Sequence, residues 1–542
     1  MSFPRIARMF SLAVVLACVG VAAVPASSRP NIVFILADDL GAGDVRCFNP
    51  QGKIATPHLD RLAGAGLKFT EAHSASAVCT PTRYNILTGR YNWRSTLKQG
   101  VLGGFSPPLI EPGRLTVAEF LRQQGYHTAA IGKWHLGLEW AQGGRNDLGA
   151  SVPKKKSTAK TKAAAAEDDP GAGIDFTKPF GRGPTTLGFD EFFGISASLD
   201  MPPYAFLVND RVAAQPDRVG VFPMKNAHPE GGQVRTGPIA PGFDTVDVLP
   251  AFTQRAIDYI GRRAAAARAG QPFFLYLPLN SPHTPIAPTK EWQGKSGLND
   301  YADFVMQTDA AVGELLAALD RAGVADNTLV IFTSDNGCSP QADFPALAAL
   351  GHDPSAARRG YKADIFDGGH RIPLIVRWPA RVQPGRSTDA VVCLGDFMAT
   401  CADLLGQKLP DTAAEDSVSF LPLLDGRPGA APRTSLVSHS INGSFAIREG
   451  EWKLELCPDS GGWSAPRPGR DSTAGLPRLQ LYDLAADPAE KNNLVARHPD
   501  VVRRLGRLLR EQVLSGRSTP GAPQENTPAP RWPQLAGFDE FK

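Results

Sequence analysis

The chain has 542 residues, 42% hydrophobic and 20% charged, an ordinary globular composition with enough length for a large core. Its formal net charge is +3, and no basic run is dense enough to argue for nucleic acid, so no nucleic-acid partner is expected. Seven cysteines show neither zinc-site spacing nor a dense disulfide framework.

The N-terminus reads as a secretory signal peptide over residues 1–26. Arg5 and Arg8 precede an apolar run from Phe10 to Val24, and the residues up to Ala26 suit cleavage there. The run is short for a membrane span, and no later segment is apolar enough to cross a bilayer. A secreted or periplasmic protein is expected. The alternative is a lipid on Cys18, within Val15-Leu-Ala-Cys18, which would anchor the chain to a membrane. Six cysteines then remain: Cys47, Cys79, Cys338, Cys393, Cys401 and Cys457. If Cys79 is chemically special, at most two bridges can form among the rest.

The continuous apolar run Asn31–Ala37 suits a strand buried on both faces of a parallel sheet, and it ends in Asp38-Asp39. The theme recurs. A helix over Leu115–Gln124 leads to a strand from His127 that runs into GKWHLG. A helix over Phe252–Ala269 leads to a strand over Phe273–Leu279, ending at NSPHTP. A helix over Tyr301–Ala322 leads to a strand over Thr328–Thr333, ending at SDNG. Alternation of this kind predicts a doubly wound α/β sheet. Within the Gly- and Pro-rich region 139–250, residues 151–169 form a low-complexity insertion. A linker over Pro422–Arg433 separates an expected first unit, 27–430, from a C-terminal one, 431–542. The latter holds short strands at Ser444–Arg448, Trp452–Leu456 and Leu479–Leu484, a helix over Val501–Leu514, and a polar tail expected to lie over the surface.

In open α/β sheets ligands sit beyond the carboxyl ends of strands. Four predicted strands deliver polar groups there: Asp38 and Asp39, then Lys133 and His135, then His283, then Asp335 and Asn336. Singly, each fits a helix cap or a turn. Together, three carboxylates and an amide oxygen make a hard oxygen site that favours Ca²⁺ or Mg²⁺ over zinc. Arg83, Lys133 and Lys362, with two histidines, can cradle a tetrahedral oxyanion. The stretch AVCTPTRYNILTGR, residues 77–90, adds Cys79 ahead of a helix expected to start at Tyr84–Leu87. Pro81 is expected to hold its predecessor extended. A helix N-terminus favours an anion and, if the thiol survives, a thiolate; a plain free thiol before a helix fits the local sequence as well.

Cys79-Thr-Pro-Thr-Arg83 followed by Leu87-Thr-Gly-Arg90 resembles the signature of the type I, formylglycine-dependent sulfatases of the alkaline phosphatase superfamily, with Thr82 where serine is usual. NIVFILADDLG, GKWHLG, GFDEFFG, NSPHTP, SDNG, GYKADIFDGG with Arg371 and Pro373, and LYDLAADPAEKNNL extend the resemblance over most of the chain. It implies a large mixed, mostly parallel sheet flanked by helices, with a smaller C-terminal antiparallel-sheet subdomain. It implies that Cys79 is oxidised to Cα-formylglycine by a formylglycine-generating or anaerobic sulfatase-maturating enzyme. The hydrated aldehyde is then the nucleophile. Calcium would be bound by Asp38, Asp39, Asp335, Asn336 and position 79. Asp335 would accept a proton from the attacking hydroxyl, Arg83 would steady the diol, and Lys133, Lys362 and His283 would bind the sulfate group. His283, with Lys362, would protonate the leaving oxygen, and His135 would take the proton of the second hydroxyl.

Beyond the signature, RYNWRSTLKQGVLGGFSPPLIEPG resembles bacterial sulfatases of sulfated glycans, some of them similar to N-acetylgalactosamine-6-sulfatases, so a sulfated carbohydrate is the expected substrate. Segments 139–250, Asp343–Arg359 and His439–Asn442 are expected around the pocket, with His370 and Arg371 either near it or structural. A formylglycine-dependent phosphonate or phosphodiester hydrolase and an unconverted glycan-binding relative are the alternatives.

Overall fold

The computed structural model describes residues 29–144, 171, 173–223, 234–427, 433–528, 532–536 and 538–541. The expected signal peptide with Cys18, the insertion 151–169 and linker residues 428–432 lie outside them. Five strands run parallel through the centre of the main sheet: β1 (Asn31–Ala37), β2 (His127–Lys133), β3 (Glu191–Ile195), β4 (Phe273–Pro278) and β5 (Thr328–Ser334). Their spatial order is β5-β1-β4-β2-β3. Strand β1 sits between two partners, and Ile32, Val33, Phe34, Ile35 and Leu36, which point alternately to both faces of the sheet, are all buried. That is why its sequence is continuous rather than alternating. Short strands extend the sheet at both edges to ten among the described residues. Leu374–Arg377 and Leu207–Val208 enter antiparallel, which makes the sheet mixed.

The flanking helices follow the expected pattern. Helix α1 (Cys79–Thr88) carries the cysteine; α2 (Val248–Arg268) precedes β4, and α3 (Asp300–Arg321) precedes β5. Asn299 caps α3 by accepting a bond from the Ala302 N–H at 3.0 Å. Helix α1 begins at Cys79, five residues before the expected start at Tyr84. Pro81 is tolerated because it falls in the first turn, where the N–H lacks a helical partner anyway, so Thr80 is helical rather than extended.

The C-terminal sheet has four antiparallel strands: β6 (Ser435–His439), β7 (Phe445–Glu449), β8 (Trp452–Glu455) and β9 (Gln480–Asp483), in that order. Strand β6 was not expected from the sequence. Helix α4 (Pro499–Leu514) lays Val501, Val502, Leu505, Leu509 and Val513 on the sheet. Tyr91, Trp93 and Cys393, from before the linker, belong to the same apolar cluster. The tail does more than lie on the surface. The Arg90 guanidinium donates to the Glu525 carbonyl at 2.8 Å, and Lys98 Nζ donates to the Thr527 carbonyl at 2.9 Å.

A buried ionic latch joins this sheet to the preceding part. Lys453 Nζ, on β8, donates to Glu490 Oε1 at 2.6 Å, to Asp367 Oδ1 at 3.1 Å and to the Ile365 carbonyl at 2.9 Å. Glu455 Oε1 lies 3.2 Å away. Burial pulls the ammonium's pKa down, but Glu490, Asp367 and Glu455 carry it well above the usual lysine range. Replacing Lys453 by methionine keeps the length and strands three buried carboxylates. Denaturant unfolding should show a loss of about 3–5 kcal/mol; a change below about 1 kcal/mol would mean the carboxylates find other partners.

Candidate active site

The parallel register decides which residues meet. Ala37 pairs with Ser334, so the residues that follow, Asp38 and Asp335, leave neighbouring strands side by side. The Asp335 N–H donates to the Ala37 carbonyl at 3.1 Å, and the Asp38 N–H donates to the Ser281 carbonyl at 2.9 Å, which brings in the segment bearing His283. At the end of β2, the Trp134 and His135 amides donate to the Ile195 and Ser196 carbonyls. Two site residues then turn sharply: Asp39 has φ 66° and His135 has φ 56°. Ala363, beside Lys362, has φ 81°. Non-glycine residues in the left-handed region cost energy, and here they aim side chains into one place.

Helix α1 presents Cys79 at its first turn. The Thr82 hydroxyl donates to the Ser76 and Val78 carbonyls, each at 3.1 Å, tying down the entry to the helix. A serine hydroxyl can make the same bonds, so Thr82 is a conservative departure. Gly89 stops the helix at φ 63°, where an added Cβ would stand 2.9 Å from Ala414. Cys79 is only 2% exposed. Burial raises its thiol pKa despite the opposing pull of Lys133 and Lys362. The helix N-terminus therefore does not yield a thiolate, because desolvation outweighs it.

All the predicted residues converge here, and their charges are matched pair by pair. Lys133 Nζ donates to Asp38 Oδ2 at 2.5 Å, and Lys362 Nζ to Asp39 Oδ2 at 2.8 Å. Arg83 donates twice to Asp335 Oδ2, at 3.1 and 2.8 Å, and once to the Lys133 carbonyl at 2.8 Å. Arg83 thus holds Asp335 and the end of β2. Burial raises the carboxyl pKa of Asp38, but Lys133, His283 and Arg83 bring it well below the usual range. Burial and the neighbouring Asp38 push the Asp335 carboxyl upward.

The two histidines have different tautomers. His135 Nε2 faces the Leu102 carbonyl at 2.7 Å, so it carries the proton, and the buried Nδ1 has no protein partner. Burial, then Lys133 and Arg83, hold its pKa well below the ordinary value. His135 is a neutral ring with a free lone pair. His283 is reversed: Nδ1 faces the Thr284 carbonyl at 2.5 Å, leaving Nε2 toward Asp39 Oδ2 at 3.6 Å. Burial and Lys362 lower its pKa, and Asp39 opposes them. His283 and Lys362 keep 7% and 6% exposure while every other predicted site residue keeps 2% or less, so the site opens to solvent between these two.

The donor set fits a hard cation. Asp38 Oδ1 and Asn336 Oδ1 are buried oxygens without hydrogen-bond partners. Asp38, Asp39 and His283 offer ligand atoms within 4.8 Å of one another. The Asn336 amide donates Nδ2 to Asp39 Oδ1 at 2.7 Å, so its oxygen points away from that carboxylate. A second grouping, His73, Asp367 and His370, is unsuited to a cation. Lys453 occupies Asp367, and the Arg448 guanidinium meets His73 Nε2 at 3.2 Å. His370 and Arg371 belong to that interface and not to the site; Arg371 reaches Glu71 and the Thr70 carbonyl. The His439–Asn442 segment does adjoin the site: the Ala77 amide donates to the His439 carbonyl at 3.0 Å, and the Ile441 amide to the Ala363 carbonyl at 3.0 Å. Sequence reasoning missed the Leu102 carbonyl, a backbone group that no residue type announces.

Comparison with known proteins identifies relatives that span most of the chain. The sulfatase family profile matches residues 30–407. An N-acetylgalactosamine-6-O-sulfatase of Bacteroides thetaiotaomicron is 35% identical over 518 residues, covering 89% of this chain and 93% of that protein. Human arylsulfatase A is 32% identical over 494 residues, covering 88% and 87%. A solved Bacteroides thetaiotaomicron structure, described in connection with metabolism of multiple glycosaminoglycans, superposes with a TM-score of 0.74 at 34% identity, covering 90% of this chain and 99% of the other.

Proposed function

Because this chain belongs to the sulfatase family and is a sulfuric ester hydrolase, we propose that it removes sulfate from sulfated carbohydrate, with a formylglycine made from Cys79 and a calcium ion bound by Asp38, Asp39, Asp335 and Asn336. One convergence supports the reading. Cys79 lies at a helix N-terminus among oxygen donors, with buried Lys133 on one side and the slightly exposed Lys362 and His283 on the other. The names of the relatives support a sugar substrate, and 6-sulfated N-acetylgalactosamine is the first to try. Position 79 is buried within a helix, so a maturating enzyme must read Cys79-Thr-Pro-Thr-Arg83 before the chain folds.

Charge bookkeeping supports the metal. Asp38, Asp39 and Asp335 are matched by Lys133, Lys362 and Arg83, which leaves little net attraction for an anion. When bound, the calcium ion would neutralise charge on sulfate oxygens, and the hydrated aldehyde would supply the attacking oxygen. The chain's own residues do the rest. Asp335 is placed to accept the proton of the attacking hydroxyl, with Arg83 fixing its carboxylate. Lys133 and Lys362 hold sulfate oxygens. His283, when protonated at both ring nitrogens with Nδ1–H held on the Thr284 carbonyl, would give the Nε2 proton to the departing sugar oxygen, with Lys362 beside it as the alternative donor. His135 Nδ1, neutral and unpartnered, takes the proton released as sulfate leaves.

Elemental analysis of active protein should find about one calcium per chain, and removal by a chelator should abolish activity that added calcium restores. Stoichiometric zinc without calcium would contradict the ligand assignment. His283→Ala should slow hydrolysis of a sugar sulfate about 10²–10⁴-fold more than that of nitrophenyl sulfate, whose leaving group needs no proton. Equal losses on both substrates would make His283 an anion-binding residue only.

A further inference from the structure

The opening beside Lys362 has a wall that the reaction does not use. A loop of the C-terminal subdomain, residues 459–466, is bonded along its backbone to the turn that carries Lys362. The Ile365 N–H donates to the Ser460 carbonyl at 2.8 Å. The Trp463 and Ser464 amides donate to Asp364 Oδ1 at 2.8 and 3.0 Å, while Asp364 Oδ2 accepts from the Tyr361 amide at 3.0 Å. Gly462 packs so closely that an added Cβ would stand 2.4 Å from the Ala363 carbonyl oxygen. Trp463 follows this contact. The residue is 37% exposed, and Lys362 Nζ lies 5.9 Å from the ring centroid.

An uncovered indole is unusual here. Among the described residues the other large exposed apolar side chains are aliphatic: Val221, Leu350, Leu476 and Leu514. The backbone bonds fix the loop that carries Trp463, so a ligand covering the indole would not have to order that loop first. The ligand must be anionic at the Lys362 end and present an apolar face about one ring away. A pyranose sulfate meets both demands, because its C–H bonds form a face while its hydroxyls lie around the rim.

We infer that Trp463 is the platform on which the sulfate-bearing sugar ring stacks, making it a substrate-specificity residue contributed by the C-terminal subdomain. This rests on the carbohydrate reading above. Trp463→Ala should raise KM for the methyl glycoside of 6-O-sulfated N-acetylgalactosamine about tenfold, with the loss in KM rather than in kcat. Trp463→Phe should recover most of it. Inhibition by inorganic sulfate, which has no ring to stack, should keep the same Ki in both variants. An unchanged KM in Trp463→Ala would overturn the platform and leave the carbohydrate reading intact. A sulfate Ki that rises in step with KM would overturn it too, since Trp463 would then only brace Lys362. Wild-type protein that hydrolyses nitrophenyl sulfate but no sugar sulfate would overturn the carbohydrate reading and the platform with it.

Discussion

Three carboxylates buried at the ends of two adjacent strands are each met by a cation that reaches them from elsewhere in the chain. Asp38 and Asp39 follow β1 and Asp335 follows β5; Lys133 comes from β2, Arg83 from α1 and Lys362 from the turn before Asp364. Each ion would be costly to bury alone, and removing any one leaves its partner uncompensated. The pairing therefore ties five separate parts of the chain to one point. It also concentrates polarity where a tetrahedral anion can be held, out of bulk water and with strengthened electrostatics.

The C-terminal sheet belongs to that arrangement. Lys362 lies three residues from Ile365, whose carbonyl accepts from Lys453 of β8 and whose amide donates to Ser460. Ala363, in its left-handed conformation, accepts from the Ile441 amide and itself donates to Ala77, two residues before Cys79. The small sheet thus holds the strained turn that aims Lys362 at Asp39. Backbone strain of this kind persists only where surrounding bonds over-determine it. The latch and the site are joined through this turn, and a loosened β8 would be felt at Lys362.

Much of this was legible in the sequence because the physics is local. A continuous apolar run such as Asn31–Ala37 has few alternatives to a central strand, and the polar residues after four such runs had to share one sheet edge. The motif around Cys79 carried the rest of the site. What was hidden depends on tertiary context. The early start of α1 reflects a helix first turn that tolerates Pro81, which local preference for an extended predecessor argued against. The neutral thiol of Cys79 follows from burial, which no motif states. Strand β6 is a short segment between a linker and a turn, and the role of Leu102 lies in a carbonyl. Trp463 stands in a glycine-rich loop without periodicity, and only its bonds to Asp364 bring it to the site.

The central claim is that position 79 is no longer cysteine in the working protein. Trypsin cutting after Lys68 and Arg83 releases the peptide 69–83, which contains that position. In active protein its mass should be lower than that of the cysteine peptide by roughly 18 Da, or equal to it with the aldehyde hydrated, and it should react with a hydrazide probe rather than with iodoacetamide. Fully active protein whose 69–83 peptide carries only an alkylatable thiol would contradict the account.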